Sequence, residues 1–169
     1  MLYKKGDMLN PENYRPISLV NVILKLFTLI LLNRLAHWCE TNNVIPEWQA
    51  GFRENRGTAD NIFILNTLIN TNIRNKGGKL YTLAFDVNSA FPSVPHNLLW
   101  AKLSKVRISH KFINIIKNLY EKANMAVKTN NGCTEKCNIT KGVLQGETLS
   151  PILYSLFIAD LGKFLKINA

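Results

Sequence analysis

Apolar and polar positions alternate in three different ways along the chain, and each predicts a different element. From Ser18, read as the N-cap, to Trp38 the residues are apolar almost all round. Only Asn21, Lys25 and Thr28 form a polar stripe, at helical offsets. That pattern predicts a helix buried on most sides. A second helix is expected from about Ala59 to Arg74, with Ile62, Leu65, Ile69 and Ile73 on one face and Gly77-Gly78 ending it. The stretch "KLYTLAFDV" (79–87) instead has a period of two. It predicts a strand with Tyr81, Leu83, Phe85 and Val87 on a buried face and Thr82, Ala84 and Asp86 on the other. A strand built this way leaves small residues leading up to one carboxylate.

Helical spacing returns in "HNLLWAKL" (96–103) and "KFINIIKNLYEK" (111–122). Residues 125–139 read as a hairpin turning at Asn131-Gly132. Ser150 as N-cap and Pro151 at the first helical position start a last helix reaching about Lys166. Loops separate these elements at "NPENYRP", "QAGFRENRGT" and "KGVLQGETLSP". Few strands mixed with many helices predict an α+β fold rather than repeated βαβ units.

Composition narrows the function classes. Of 169 residues, 47% are hydrophobic, which excludes intrinsic disorder. Lysine and arginine number 21 against 11 acids, a net charge of +10 that suits a polyanionic partner. The longest apolar run, residues 22–32, is short for a bilayer and contains Lys25, and the N-terminus lacks a signal-peptide pattern. No membrane partner is therefore expected. Cys39, Cys133 and Cys137 make no disulfide framework. Cys133 and Cys137 can approach across the hairpin but lack a second pair of zinc ligands. A reducing, intracellular setting fits.

Three places carry candidate chemistry. Asp86, at a strand end before a turn, suits either a hard divalent cation or a side-chain cap of that turn. Arg53 and Arg56 sit on a glycine-bearing loop before a helix, where they either grip phosphate or point into solvent. Gln145 and Gly146 form either a ligand-reading loop or an ordinary approach to the last helix.

Taken in order, "YKKGD…NYRPISL", "QAGFRENRGTADNIF", "AFDVNSAFPSV" and "GVLQGETLSPILYSLFIADL" resemble successive blocks of the reverse transcriptases of non-LTR (LINE-type) retrotransposons, from about Tyr3 to Leu161. The resemblance implies a partial right-hand polymerase fold. Residues 1–78 would be the fingers, and residues 79–169 an incomplete palm whose hairpin (125–139) returns toward the fingers. It implies an RNA-directed DNA polymerase acting on RNA template, DNA primer and deoxynucleoside triphosphates, in the nucleus, with two Mg²⁺ ions. Asp86 and the Val87 carbonyl would be metal ligands. Phe91 would be the steric gate against a 2′-hydroxyl, and Arg53 would hold the triphosphate or template. Gln145 and Gly146 would pack on the nascent base pair, and Arg15, Lys25 and Arg56 would touch nucleic acid. Asp160 matches a family position that is not catalytic.

The family draws its other catalytic acids from a later aromatic-alanine-aspartate-aspartate turn, and this sequence contains no Asp-Asp pair. Ser89, Pro92 and Glu147 also depart from the pattern, and Glu147 is expected to bring negative charge near template phosphates. The expectation is of a truncated segment, inactive by itself, marginally stable or prone to aggregate. The alternative is a non-catalytic nucleic-acid-binding relic or repurposed fragment.

Overall fold

The computed structural model describes residues 1–74, 77–129 and 132–166. One hydrophobic cluster organises them. Helix α3 (His96–Lys105) contributes Leu99 and Leu103, and α4 (His110–Glu121) contributes Ile113, Ile116 and Tyr120. Helix α5 (Ser150–Phe157) adds Ile152, Leu153 and Leu156. These positions recur at helical spacing, so each helix turns one apolar stripe inward. Ser109 caps α4 by accepting a hydrogen bond from the Phe112 backbone N–H (3.3 Å). Helix α1 (Val22–Thr41) joins the cluster through Leu31, Leu35 and Cys39, near its C-terminal end. Burial pushes the Cys39 thiol pKa up to about 12, so it behaves as a small core side chain.

Strands are short and antiparallel. β1 (Leu2–Tyr3) pairs with β2 (Tyr14–Arg15) at the N-terminus. The predicted hairpin forms from β3 (Asn124–Met125) with β6 (Cys137–Asn138), and β4 (Lys128–Thr129) with β5 (Gly132–Cys133). Thr134 N donates to Val127 O (3.0 Å), yet Met125 faces Cys137, so the returning arm carries one extra residue, a β-bulge. Gly132 pairs with Thr129 and so belongs to a strand, while its expected turn partner Asn131 lies outside the described residues. Both hairpin cysteines stand on the same returning arm, not across from each other. The mixed α and β character expected from sequence is present.

Four expectations change. Residues 79–87 form no strand: they have no regular secondary structure and no ladder partner among the described residues, with Tyr81 88% and Phe85 72% exposed. A strand exists only through its neighbours' hydrogen bonds, and alternation alone cannot supply them. Helix α1 starts at Val22, because Asn21 caps it by accepting from Ile23 N (2.9 Å) while Ser18 N donates to Gln145 O (2.7 Å). Its outer face, including Val22, Ile23 and Leu26, is exposed rather than buried. This helix is long and apolar enough to cross a membrane, a test that the core helix of a soluble protein also passes.

Helix α2 (Thr58–Ile73) likewise buries none of its residues, including the predicted face of Ile62, Leu65, Ile69 and Ile73. The last helix is two. α5 begins with Ser150 inside the helix and Leu149 as its cap, and α6 (Leu161–Lys166) follows a turn at residues 158–160. There the chain folds over Trp48, whose ring occupies the place of a Cβ at Gly162.

Candidate active-site cleft

Asp86 lies on the rim of a cleft of about 680 Å³ between the N-terminal hairpin and the turn that follows it. Lys4 and Arg15 come from the N-terminal hairpin, Val87 from beside the carboxylate, and Gln145 from the loop before α5. Glu12 also faces the cleft. No hydrogen bond or ion pair occupies the Asp86 carboxylate among the described residues.

The turn after Asp86 is held from below. Ser93 N donates to Ser89 O (2.9 Å), Val143 N to Phe91 O (2.9 Å) and Gly142 N to Val94 O (2.7 Å). His96 Nε2 lies 2.8 Å from Gly142 O. At Gly142, with φ +87°, a Cβ would meet Pro92 Cα at 2.9 Å, so only glycine allows this approach. Gly146, with φ +97°, makes a similar approach, but what comes close to it is the Ser18 backbone. Gln145 and Gly146 thus tie the α5 approach to the N-terminal segment while Gln145 faces the cleft.

The other predicted residues stand apart from this cleft. Phe91 is half-buried, its ring 5.8 Å from Phe52 and 5.1 Å from Tyr154, which fixes it beside the Asp86 turn. Arg53 is committed elsewhere. Its Nε and Nη2 donate to the two Glu40 carboxylate oxygens (2.9 and 2.6 Å), and Nη1 donates to Pro46 O (3.1 Å). In this structure the fork braces the end of α1 against the following loop. Arg56 stands 3.5 Å from Glu47, and Lys25 is exposed on α1.

Arg53 hydrogen bonds hold the Glu40 pKa below the usual carboxylate range, outweighing partial burial. A depressed folded-state pKa gives stability that is present above the unfolded value and is lost as pH falls through the folded one. Thermal melts from neutral to acid pH should therefore show a flatter acid limb for Glu40→Gln than for the parent. Identical limbs would show that the pair contributes nothing.

Glu147 turns inward rather than toward template. It is 8% exposed, and its Oε2 accepts from Leu149 N (2.8 Å) and Ser150 Oγ (3.3 Å), capping the N-terminus of α5 where a helix favours negative charge. Ser150 Oγ is in turn 3.5 Å from the Tyr120 hydroxyl, whose pKa burial raises to about 12. Oε1 of Glu147 has no partner among the described residues.

Sequence reading missed Lys4 as a cleft residue, although "YKKGD" was in view. It also missed the inward Glu147, whose only signal was its place three residues before Ser150. Among the described residues no group of three His, Cys, Asp or Glu side chains gathers as metal ligands. The Asp86 carboxylate and the Val87 peptide oxygen fit a share of a hard-cation site. They do not fit a complete site for two dications, whose mutual repulsion one carboxylate cannot offset.

A protein-family model described as reverse transcriptase (RNA-dependent DNA polymerase) matches residues 3–168. The chain belongs to the reverse transcriptase family. This reverse transcriptase chain is 32% identical over 95% of its length to a probable RNA-directed DNA polymerase from transposon BS of Drosophila melanogaster. It is 33% identical, over 95%, to the RNA-directed DNA polymerase from mobile element jockey of Drosophila funebris. It is 30% identical, over 95%, to the Pol polyprotein of the type-1 retrotransposable element R2 of Popillia japonica. These relatives belong to non-LTR retrotransposons, as the ordered blocks implied. The chain spans about a fifth of their length, at 18%, 18% and 22%. Divalent metal is general to the family.

Proposed function

We propose that this chain supplies the fingers (residues 1–78) and part of the palm (residues 79–169) of an RNA-directed DNA polymerase of a non-LTR retroelement. The observation that carries this reading is an exposed, unengaged Asp86 carboxylate on a cleft that also presents two cations and Gln145. Asp86 contributes one oxygen pair to a Mg²⁺ site whose remaining ligands come from elsewhere in a longer polypeptide. When bound, the metal supplies charge stabilisation at the transferring phosphoryl group.

Lys4 and Arg15 neutralise phosphates entering the cleft, and Arg15 adds a planar, bidentate grip. Phe91, wedged between two aromatic rings, braces from behind the turn that follows Asp86. Gln145 offers both donor and acceptor to a base or sugar. The substrates are RNA template, DNA primer and deoxynucleoside triphosphates, in a nuclear setting.

The test is primer extension on an RNA template by the longer polymerase that carries this segment, parent against Asp86→Ala. Extension by both overturns the reading.

The donor set of the described residues favours a second reading for the segment by itself: nucleic-acid binding without catalysis. Its binding should weaken steeply with salt and change little on Asp86→Ala. Salt-insensitive binding removes it.

A further inference from the structure

Away from the Asp86 cleft, the C-terminal end of α3 and the turn into α6 enclose a second recess of about 520 Å³. The two recesses share no lining residue. The floor of the second is apolar: Phe157, Ile158, Leu161 and Phe164. It also carries Lys102, Lys105 and Lys163, with Asp160 as the one acid among the described residues. Lys102 pairs with Asp160, and Lys105 also helps to hold that carboxylate ionised, so among the described residues the recess keeps two more cations than acids. Phe164 is 67% exposed and belongs to a short helix, not to the core cluster.

Cations spaced around an exposed aromatic ring suit one class of partner. The phosphates of a polynucleotide answer the lysines, and an unpaired base stacks on the ring. A duplex keeps its base faces hidden and gains only the charge term. We propose that this recess is a second nucleic-acid contact, selective for single strands, in which Lys105 and Lys163 hold consecutive phosphates and Phe164 stacks a base. It lies outside the Asp86 cleft and does not use its chemistry.

The test is equilibrium binding of the chain to a fluorescently labelled single-stranded RNA of mixed sequence, and to the blunt duplex made from it, across a salt series. Lys105→Gln with Lys163→Gln should lower the slope of log K against log salt by about 1.4 on the single strand, at roughly 0.7 per lost phosphate contact. Phe164→Ala should weaken single-strand binding by about fivefold or more and leave the duplex unaffected, and Phe164→Trp should retain the parent affinity. All three side chains changed are exposed, so the fold is not at stake.

Parent-like slope in the lysine variant together with parent-like affinity in Phe164→Ala overturns the inference. Arg15→Gln, made in parallel, reports on the Asp86 cleft. If it alone weakens binding, the second contact is refuted while the polymerase reading stands. Loss of extension on Asp86→Ala is read in a separate assay and is independent of both.

Discussion

Primer extension by the longer polymerase should fall by at least about a hundredfold when Asp86 becomes alanine, the scale on which removing one preorganised electrostatic partner at a reacting centre acts. The thermal transition should stay within about 0.5 kcal/mol of the parent, as for surface changes away from structural features. Asp86 justifies both expectations, because it is exposed and has no hydrogen bond or ion pair among the described residues. A carboxylate that merely closed its own turn would behave in the opposite way, with stability falling alongside activity. Asp86→Asn separates charge from shape. It keeps the side chain's size and its capacity to accept a hydrogen bond, but it lacks the negative charge that holds a cation. It should be nearly as inactive as the alanine variant. An active Asp86→Asn enzyme would assign the residue a structural role.

Leu153→Ala should destabilise the fold by about 2–5 kcal/mol, the range for emptying a buried leucine site. Leu153 is 0% exposed on α5, in the cluster that also holds Leu99 and Leu103 of α3. With α3 packed against α5, the vacated volume cannot collapse freely. Against a total stability of about 5–15 kcal/mol, that loss is a large fraction. At roughly 2–4 °C per kcal/mol for a chain of this size, the midpoint should drop by about 4–20 °C. Leu153→Met keeps the volume and should cost less than about 1.5 kcal/mol. Equal midpoints for Leu153→Ala and the parent would mean that the core lies elsewhere.

Local periodicity was enough to find α3 and α4, since Leu99, Leu103, Ile113 and Ile116 declare their inward faces by spacing alone. The hairpin was legible from its Asn131-Gly132 signal, although Gly132 itself stands in a strand. Residues 79–87 were not, because a strand depends on partners that its own pattern cannot name. The faces of α1 and α2 misled similarly: apolar residues mark a surface that can be buried, and burial needs a neighbour. Of the residues lining the cleft, the sequence had singled out Asp86, Val87, Arg15 and Gln145. It did not disclose that Arg53 is braced by Glu40, because Glu40 sits at the end of another helix and nothing in either local pattern links them. Glu147 was misplaced for a related reason. Its place in the family pattern suggested a charge near template phosphates, but the N–H groups opening α5 offered a partner indoors.

The extra residue in the hairpin's returning arm has a consequence for thiol chemistry. Cys133 faces Lys128 and Cys137 faces Met125, an odd number of steps apart on the opposite arm. Pleat alternation therefore sends the two sulfurs to opposite sides of the ribbon. Oxidant reaching these exposed thiols finds no mate for either within the ribbon, which stays unstapled.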